Sequence, residues 1–310
     1  MRKFDYCFTA MGSPCSLHLY APDSNVASMV AGQAEAEVRR LERKYSRYRA
    51  DSLTAQIHAA ARAGRRLRVD AETAALLDYA QAAWEQSDGL FDITSGVLRQ
   101  VWKFPEGPVP AQTAIDALRP RIGWHQVHWQ DGKIGFARPD MEIDFGGFVK
   151  EYAADCAAAI ALQAGVAHGL VELGGDIRVI GPHPDGRPWS VGIRHPRLPG
   201  QVWATLSLAQ GALASSGDYE RCIVHNGQRY GHVLNPFTGW PVQGLVAVSA
   251  VAEHCLLAGT LTTLALLRGD QGPSWLEDQQ QPWLAMDSAG HTWGTLREKV
   301  DATSQVSALR

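Results

Sequence analysis

The segment Asp144-Phe145-Gly146-Gly147-Phe148-Val149-Lys150-Glu151-Tyr152 constrains this chain more than any other. A β-like run, Met141 to Asp144, ends in a carboxylate. It gives way through two glycines to an apolar-periodic helix with a lysine in its first turn. Glycines at a strand-to-helix junction let the backbone come close to a ligand. A helix start offers free N–H groups and a partial positive charge, which suit a phosphate. Lys150 adds a full positive charge, and Asp144 is placed to fix a sugar hydroxyl, a ring nitrogen or a metal. The segment reads as a nucleotide or phosphate pocket, set against the plainer alternative that Gly-Gly after a strand is turn chemistry.

The length of 310 residues allows a substantial core, and 45% hydrophobic with 20% charged residues is ordinary globular composition. A net charge of −3 and a pI near 6.4 argue against broad attraction to nucleic acid or anionic lipid. Five scattered cysteines without a CxxC pair read as reduced, mostly buried thiols. The N-terminus has two basic residues but no apolar stretch behind them, and no window reaches the length of a membrane span. The expected location is therefore the cytoplasm as written, or the periplasm if the start codon is mis-assigned.

Alternation over residues 4–20 predicts β structure, clearest at 16–20. Helical spacing of Val26, Met29, Val30, Ala34, Val38 and Leu41 predicts a helix over 25–47. The arginines near its end read as a solvated face at a helix C-terminus. Further helices are expected at 71–87, 112–122, from 148 to about 163, and at 253–267. Strand-like runs lie at 125–129, 133–136, 142–144, 171–177, 189–193, 203–207 and 213–216. Long helices interleaved with hairpins give an α+β class with mixed, largely antiparallel sheets flanked by helices. Residues 1–297 are expected to form one domain, with a polar, frayed tail over 298–310.

Other polar patches follow. These are Leu173-Gly174-Gly175-Asp176, then Ser215-Ser216-Gly217-Asp218-Tyr219-Glu220-Arg221. Next come Gly231-His232 through Thr238-Gly239, and finally Ala258-Gly259-Thr260-Leu261-Thr262-Thr263 within an apolar helix. Each has a bland reading alone: a hairpin turn, an ion-pair network, a structural histidine, threonines bonded to the preceding helical turn. Their order is more specific. Together with Ala10-Met11-Gly12-Ser13, Tyr48-Arg49-Ala50-Asp51-Ser52 and Leu90-Phe91-Asp92-Ile93-Thr94, it resembles the ApbE family of FAD:protein FMN transferases, from about residue 8 to about 270.

The resemblance implies transfer of the FMN half of FAD to a Ser/Thr hydroxyl of an acceptor flavoprotein, with release of AMP. FAD pyrophosphatase activity and non-catalytic FAD binding are the alternatives. It further implies that Met11, Tyr48, Leu90, Phe91, Asp92 and Asp144 line the FAD pocket, and that Lys150 meets the diphosphate. By the same resemblance His232 handles the proton, while Gly147, Thr262 and Thr263 mark the Mg²⁺ locus. One departure stands out. The family's metal helix carries an aspartate where this chain has Gly259, whereas Mg²⁺ favours carboxylate oxygens. Three accounts follow. Glu253, His254, Glu151 or Asp176 supplies a ligand; the metal is held through phosphate and water beside Lys150; or the chain binds FAD without transferring it.

Overall fold

The computed structural model describes residues 1–219 and 221–296. The tail expected over 298–310 lies outside the described residues. The chain opens with a hairpin of β1 (Arg2–Ala10) and β2 (Ser13–Ala21), so the alternation over 4–20 is two strands. Ala10 pairs with Ser13, which leaves Met11 and Gly12 as a two-residue turn with φ of 53° and 69°. Such a turn matches the strands' natural twist.

Helix α1 (Ser24–Tyr45) follows, capped by Asp23, then α2 (Leu53–Arg62), capped by Ser52. Helix α2 was not expected; its short run of buried Ile57, His58, Ala60 and Ala61 is a weak periodic signal. After β3 (Leu67–Arg68) comes α3 (Ala71–Gln86). The Leu90 region turns into a 3₁₀ helix over Ile93–Gln100, and α4 (Gln112–Leu118) and two strands, β4 (Val127–Gln130) and β5 (Lys133–Phe136), come next. Strands β3, β5 and β4 make a small sheet.

The run 142–144 is extended but joins no ladder, contrary to the strand expected there. The Ile143 N–H donates to His58 Nε2 (3.0 Å) and the Asp144 N–H to the Ile93 carbonyl (2.9 Å), so its hydrogen bonds go sideways into loops and α2. Helix α5 (Val149–Gln163) leads to β6 (Gly169–Leu173) and β7 (Asp176–Gly181). The hairpin β8 (Trp189–Arg194) and β9 (Val202–Leu208) precedes β10 (Ala212–Gly217). A second hairpin, β11 (Cys222–His225) and β12 (Gln228–Gly231), precedes β13 (Leu245–Ala252). The described chain ends with α6 (Cys255–Arg268), α7 (Gly272–Asp278), β14 (Trp283–Asp287) and β15 (Thr292–Gly294).

The main sheet has eight strands in the order β1-β2-β6-β7-β10-β13-β14-β15, every neighbouring pair antiparallel. The α+β expectation therefore holds. Helices α1, α5 and α6 pack together on one side of it. Buried alanines on α1 (Ala27, Ala31, Ala34) and α5 (Ala153, Ala154, Ala157, Ala158, Ala161) let these helices approach closely. Helix α6 is apolar nearly all round because it lies between the sheet and α5. The β8–β9 hairpin contributes Trp189, Val191, Ile193, Ala204 and Leu206 to a separate cluster with Leu170, Val179 and Leu213 of the main sheet. No helix among the described residues is long and apolar enough to cross a membrane. All five cysteines are free, but only Cys15 and Cys255 are buried.

Candidate functional site

The Gly146–Lys150 corner is built by local bonds. Asp144 caps the 3₁₀ turn Phe145–Gly147 by accepting the Gly146 N–H at 2.9 Å. Helix α5 then begins with Phe148 as its N-cap and no side-chain capping bond, leaving first-turn N–H groups to meet an anionic ligand. The Lys150 ammonium pairs with Asp176 Oδ2 and stands 3.2 Å from Glu151 Oε1. Asp176 is buried, and its other oxygen accepts the Ser215 N–H at 3.0 Å. The Gly-Gly-Asp turn is thus the anchor that aims Lys150. A Cβ on Gly174, which has φ of 59°, would lie 2.9 Å from Ser13 Cβ and 3.5 Å from Lys150 Cδ. Glycine is needed there for both conformation and space.

Ser13 opens β2, directly after the β1–β2 turn. In that turn the Met11 N–H donates to Glu42 Oε1 at 2.6 Å, and the Gly12 face looks onto the Arg221 guanidinium. Residues expected from sequence to line the FAD pocket lie next to this corner. The Asp144 carboxylate pairs with Arg47, whose guanidinium also donates to the Tyr48 hydroxyl at 2.9 Å. The arginines at and just beyond the end of α1 are therefore not simply a solvated face, as expected from sequence. Arg47 turns inward to Asp144, and Arg40 bridges Glu37 and Glu72. Gly96 packs so tightly on Asp144 that a Cβ there would sit 2.5 Å from Asp144 Cβ.

Phe91 is buried beside Gly147 and 6.1 Å, ring to ring, from Phe148. The Asp92 carboxylate is spent on Thr94 and on the Trp124 N–H (2.8 Å), so it holds the loop in place. Burial pushes its carboxyl upward against those hydrogen bonds. Across from Leu90, Phe237 approaches Gly89.

His232 is exposed just past β12. Beside it, a Cβ on Gly231 would come within 2.9 Å of Asp218 Cβ, and Asp218 forms a two-pronged pair with Arg197 at 2.6 and 2.7 Å. Arg197 and Gly96 were not singled out from sequence, and Arg47 was read there only as part of a solvated face. No local motif marks them, and only the folded chain brings them to Asp144 and Asp218.

On α6 the two threonines expected at the metal locus differ. Thr262 is fully buried, and its hydroxyl lies 2.8 Å from Ser216 Oγ and donates to the Gly259 carbonyl at 2.9 Å. Thr263 is half-buried and lies one turn beyond Gly259, hence on the same helix face. That face meets α5. A Cβ on Gly259 would sit 2.5 Å from Glu151 Cγ and 3.3 Å from Glu151 Oε1. Glu151 is 9% exposed, and its Oε2 is buried without a hydrogen-bond partner. Burial, with the Glu151 charge adding to it, pushes the Cys255 thiol well up. Glu253 and His254 are exposed at the start of α6. Among the described residues no group of three or more His, Cys, Asp or Glu side chains is gathered as a metal cage, so a cation here needs backbone and hydroxyl oxygens as well.

Comparison with known proteins identifies the family. The sequence profile of the ApbE family matches residues 11–286. The FAD:protein FMN transferase of Rhodobacter capsulatus is 31% identical over 221 residues, 69% of this chain and 42% of that protein, so the chain spans less than half of that relative. That of Haemophilus influenzae is 27% identical over 249 residues, 77% of this chain and 72% of the relative. Among solved structures, the ApbE protein of Thermotoga maritima has a TM-score of 0.87 at 29% identity, covering 96% of this chain and 100% of that one. The apo flavinyl transferase ApbE of Pseudomonas stutzeri has a TM-score of 0.84 at 26% identity, covering 95% of each. The family profile and the fold match both extend over nearly all of the described residues: the chain belongs to the ApbE family.

Proposed function

We propose that this protein transfers the FMN half of FAD to a serine or threonine hydroxyl of a partner flavoprotein and releases AMP. The acceptor oxygen attacks the phosphorus on the flavin side of the pyrophosphate. The bond from that phosphorus to the oxygen bridging it to AMP breaks, AMP leaves with the bridging oxygen, and the hydroxyl proton passes to His232. The observation that carries this reading is the convergence of Lys150, the uncapped start of α5, the Gly174 turn and the Met11–Ser13 turn on one corner. Oriented N–H groups and a fixed ammonium suit the charge that develops on pyrophosphate oxygens. The exposure of His232 suits a hydroxyl delivered by a macromolecule. Asp144, fixed by Arg47 and by the Gly146 N–H, suits a contact on the flavin side.

The residues also fit a divalent cation such as Mg²⁺. Glu151 Oε2 is a buried oxygen without a partner, and the Gly147 carbonyl and Thr263 hydroxyl are further candidate oxygen ligands, Gly147 just ahead of α5 and Thr263 one turn beyond Gly259 on α6. When bound, such an ion neutralises pyrophosphate charge as a Lewis acid.

The test is incubation with FAD, Mg²⁺ and a protein bearing a Ser/Thr flavinylation motif, followed by denaturing electrophoresis under ultraviolet light. A fluorescent acceptor band with equimolar AMP is expected. AMP without a band would mean that water takes the place of the acceptor. Bound flavin with neither product would reduce the protein to a flavin-binding module.

A further inference from the structure

We propose that Glu151 is the carboxylate ligand of the divalent cation, supplied from α5 in place of a carboxylate that α6 lacks at Gly259. The proposal rests on the flavin-transferase reading and names the group that completes its charge clamp. Glu151 occupies the volume that any side chain at 259 would need: Cγ, Cδ and Oε1 lie 2.5, 3.1 and 3.3 Å from the position of a Gly259 Cβ. A side chain at 259 and the present position of Glu151 exclude one another, and the carboxylate left in that volume belongs to α5.

The chemistry of this carboxylate is incomplete within the protein. Glu151 is 9% exposed and its Oε2 has no hydrogen-bond partner, whereas the other described carboxylates near it are engaged. Asp176 accepts from Ser215 and Lys150. Asp155 accepts the Cys255 and Leu256 N–H groups at 2.9 and 3.0 Å and pairs with Arg178 at 3.1 Å. A buried carboxylate oxygen left without a partner is unfavourable, and a bound cation supplies that partner. Glu253 and His254, with side chains 86% and 57% exposed, face solvent ahead of α6 and are poor alternatives.

Glu151 is four residues beyond Gly147, and Thr263 is four beyond Gly259. The second spacing keeps its pair on one face of α6, and Gly147 immediately precedes the Phe148 N-cap of the helix that carries Glu151. A carboxylate, a carbonyl and a hydroxyl are the oxygen ligands that a small hard cation takes, with water and phosphate completing its shell. The Lys150 ammonium, 3.2 Å from Glu151 Oε1, neutralises the carboxylate when no cation is bound.

The experiment titrates Mn²⁺, a hard octahedral probe, into the full-length protein with and without FAD. The electron paramagnetic resonance signal of free aqueous Mn²⁺ is the readout. Glu151→Gln keeps the volume and removes the charge; it is expected to weaken Mn²⁺ binding by about ten-fold or more and to abolish the rise in thermal midpoint that Mn²⁺ gives the parent. The exchanged pair Glu151→Gly with Gly259→Asp, which returns the carboxylate to α6, is expected to recover most of that affinity. Mn²⁺ binding by Glu151→Gln at the parent's affinity overturns the assignment, as does a parent that binds no Mn²⁺ in either condition. If either occurs while the parent still labels an acceptor with flavin, only the role of Glu151 fails. If FAD binding and labelling are both lacking, the flavin-transferase reading fails with it.

Discussion

Gly259 occupies the middle of α6, where glycine costs about 1 kcal/mol relative to alanine. Alanine there is nevertheless expected to destabilise, because its Cβ would sit 2.5 Å from Glu151 Cγ. Overpacking of that kind costs about 1–3 kcal/mol, more than the helix propensity returns. In a Glu151→Ala background the obstacle is gone, and the same Gly259→Ala change is expected to stabilise by up to about 1 kcal/mol. Urea denaturation of the four proteins in this double-mutant cycle measures the coupling. Equal effects of Gly259→Ala in both backgrounds would show that the two residues do not compete for space. The gap at 259 was legible in the sequence as a departure from the family's metal helix. That Glu151 is what fills it was one of several possibilities there, because nothing local says which element lies against α6.

Helix α6 has no capping side chain of its own: its N-cap is His254, and the first N–H groups are taken by Asp155, a hundred residues earlier on α5. Asp155→Ala is expected to cost about 1–2 kcal/mol and to speed hydrogen exchange at the Cys255 and Leu256 amides. Unchanged exchange there would mean that the sheet alone fixes the helix start. A second inter-helix tie lies at Glu72, in the first turn of α3, which accepts from Arg40 and Lys44 of α1. Burial alone would push its carboxyl up, but the two cations outweigh that and pull it from 4.5 down to about 2.

A carboxyl depressed on folding stabilises above its unfolded value and loses that contribution as the pH falls through the folded one. Thermal midpoints should therefore fall from pH 4.5 towards pH 2, and Glu72→Gln should flatten part of that slope; an unaltered profile would remove Glu72 from the account. Elements with long, regular periodicity (α1, α3, α5, α6) were legible in the sequence almost to their ends. Helix α2 and the β11–β12 hairpin were not. The first is short, and the second is signalled mainly by its Asn226-Gly227 turn, with φ of 51° and 76°, among unremarkable polar residues. The run 142–144 has strand composition, but His58 and Ile93 claim its backbone.

At the scale of the whole molecule, the two faces of the eight-stranded sheet are not independent. The β8–β9 hairpin covers the face opposite the helices, yet its connecting segment carries Arg197 round to Asp218, next to the loop that bears His232. The segment is stiffened by His195, whose Nδ1 accepts the Arg197 and Leu198 N–H groups at 3.1 and 3.2 Å. Sequence periodicity assigned both strands of this hairpin but not this reach, since the contact depends on how the sheet orders its strands. The pair is partly exposed, so it contributes only about 0–1 kcal/mol to stability and Arg197→Ala should leave the thermal midpoint almost unmoved. Its effect should appear in function. With the guanidinium gone, Asp218 loses its fixed partner against Gly231, and His232 loses a boundary that sets its position. Misplacement of a reacting group by about 1 Å costs on the order of a hundred-fold. A fall in kcat/KM for flavin transfer of between about ten- and a hundred-fold is therefore expected. Arg197→Lys should rescue poorly, because a single ammonium cannot make the two-pronged contact. Transfer at the parent rate by Arg197→Ala would mean that the His232 loop is held by other contacts and that the hairpin serves the core of its own face alone.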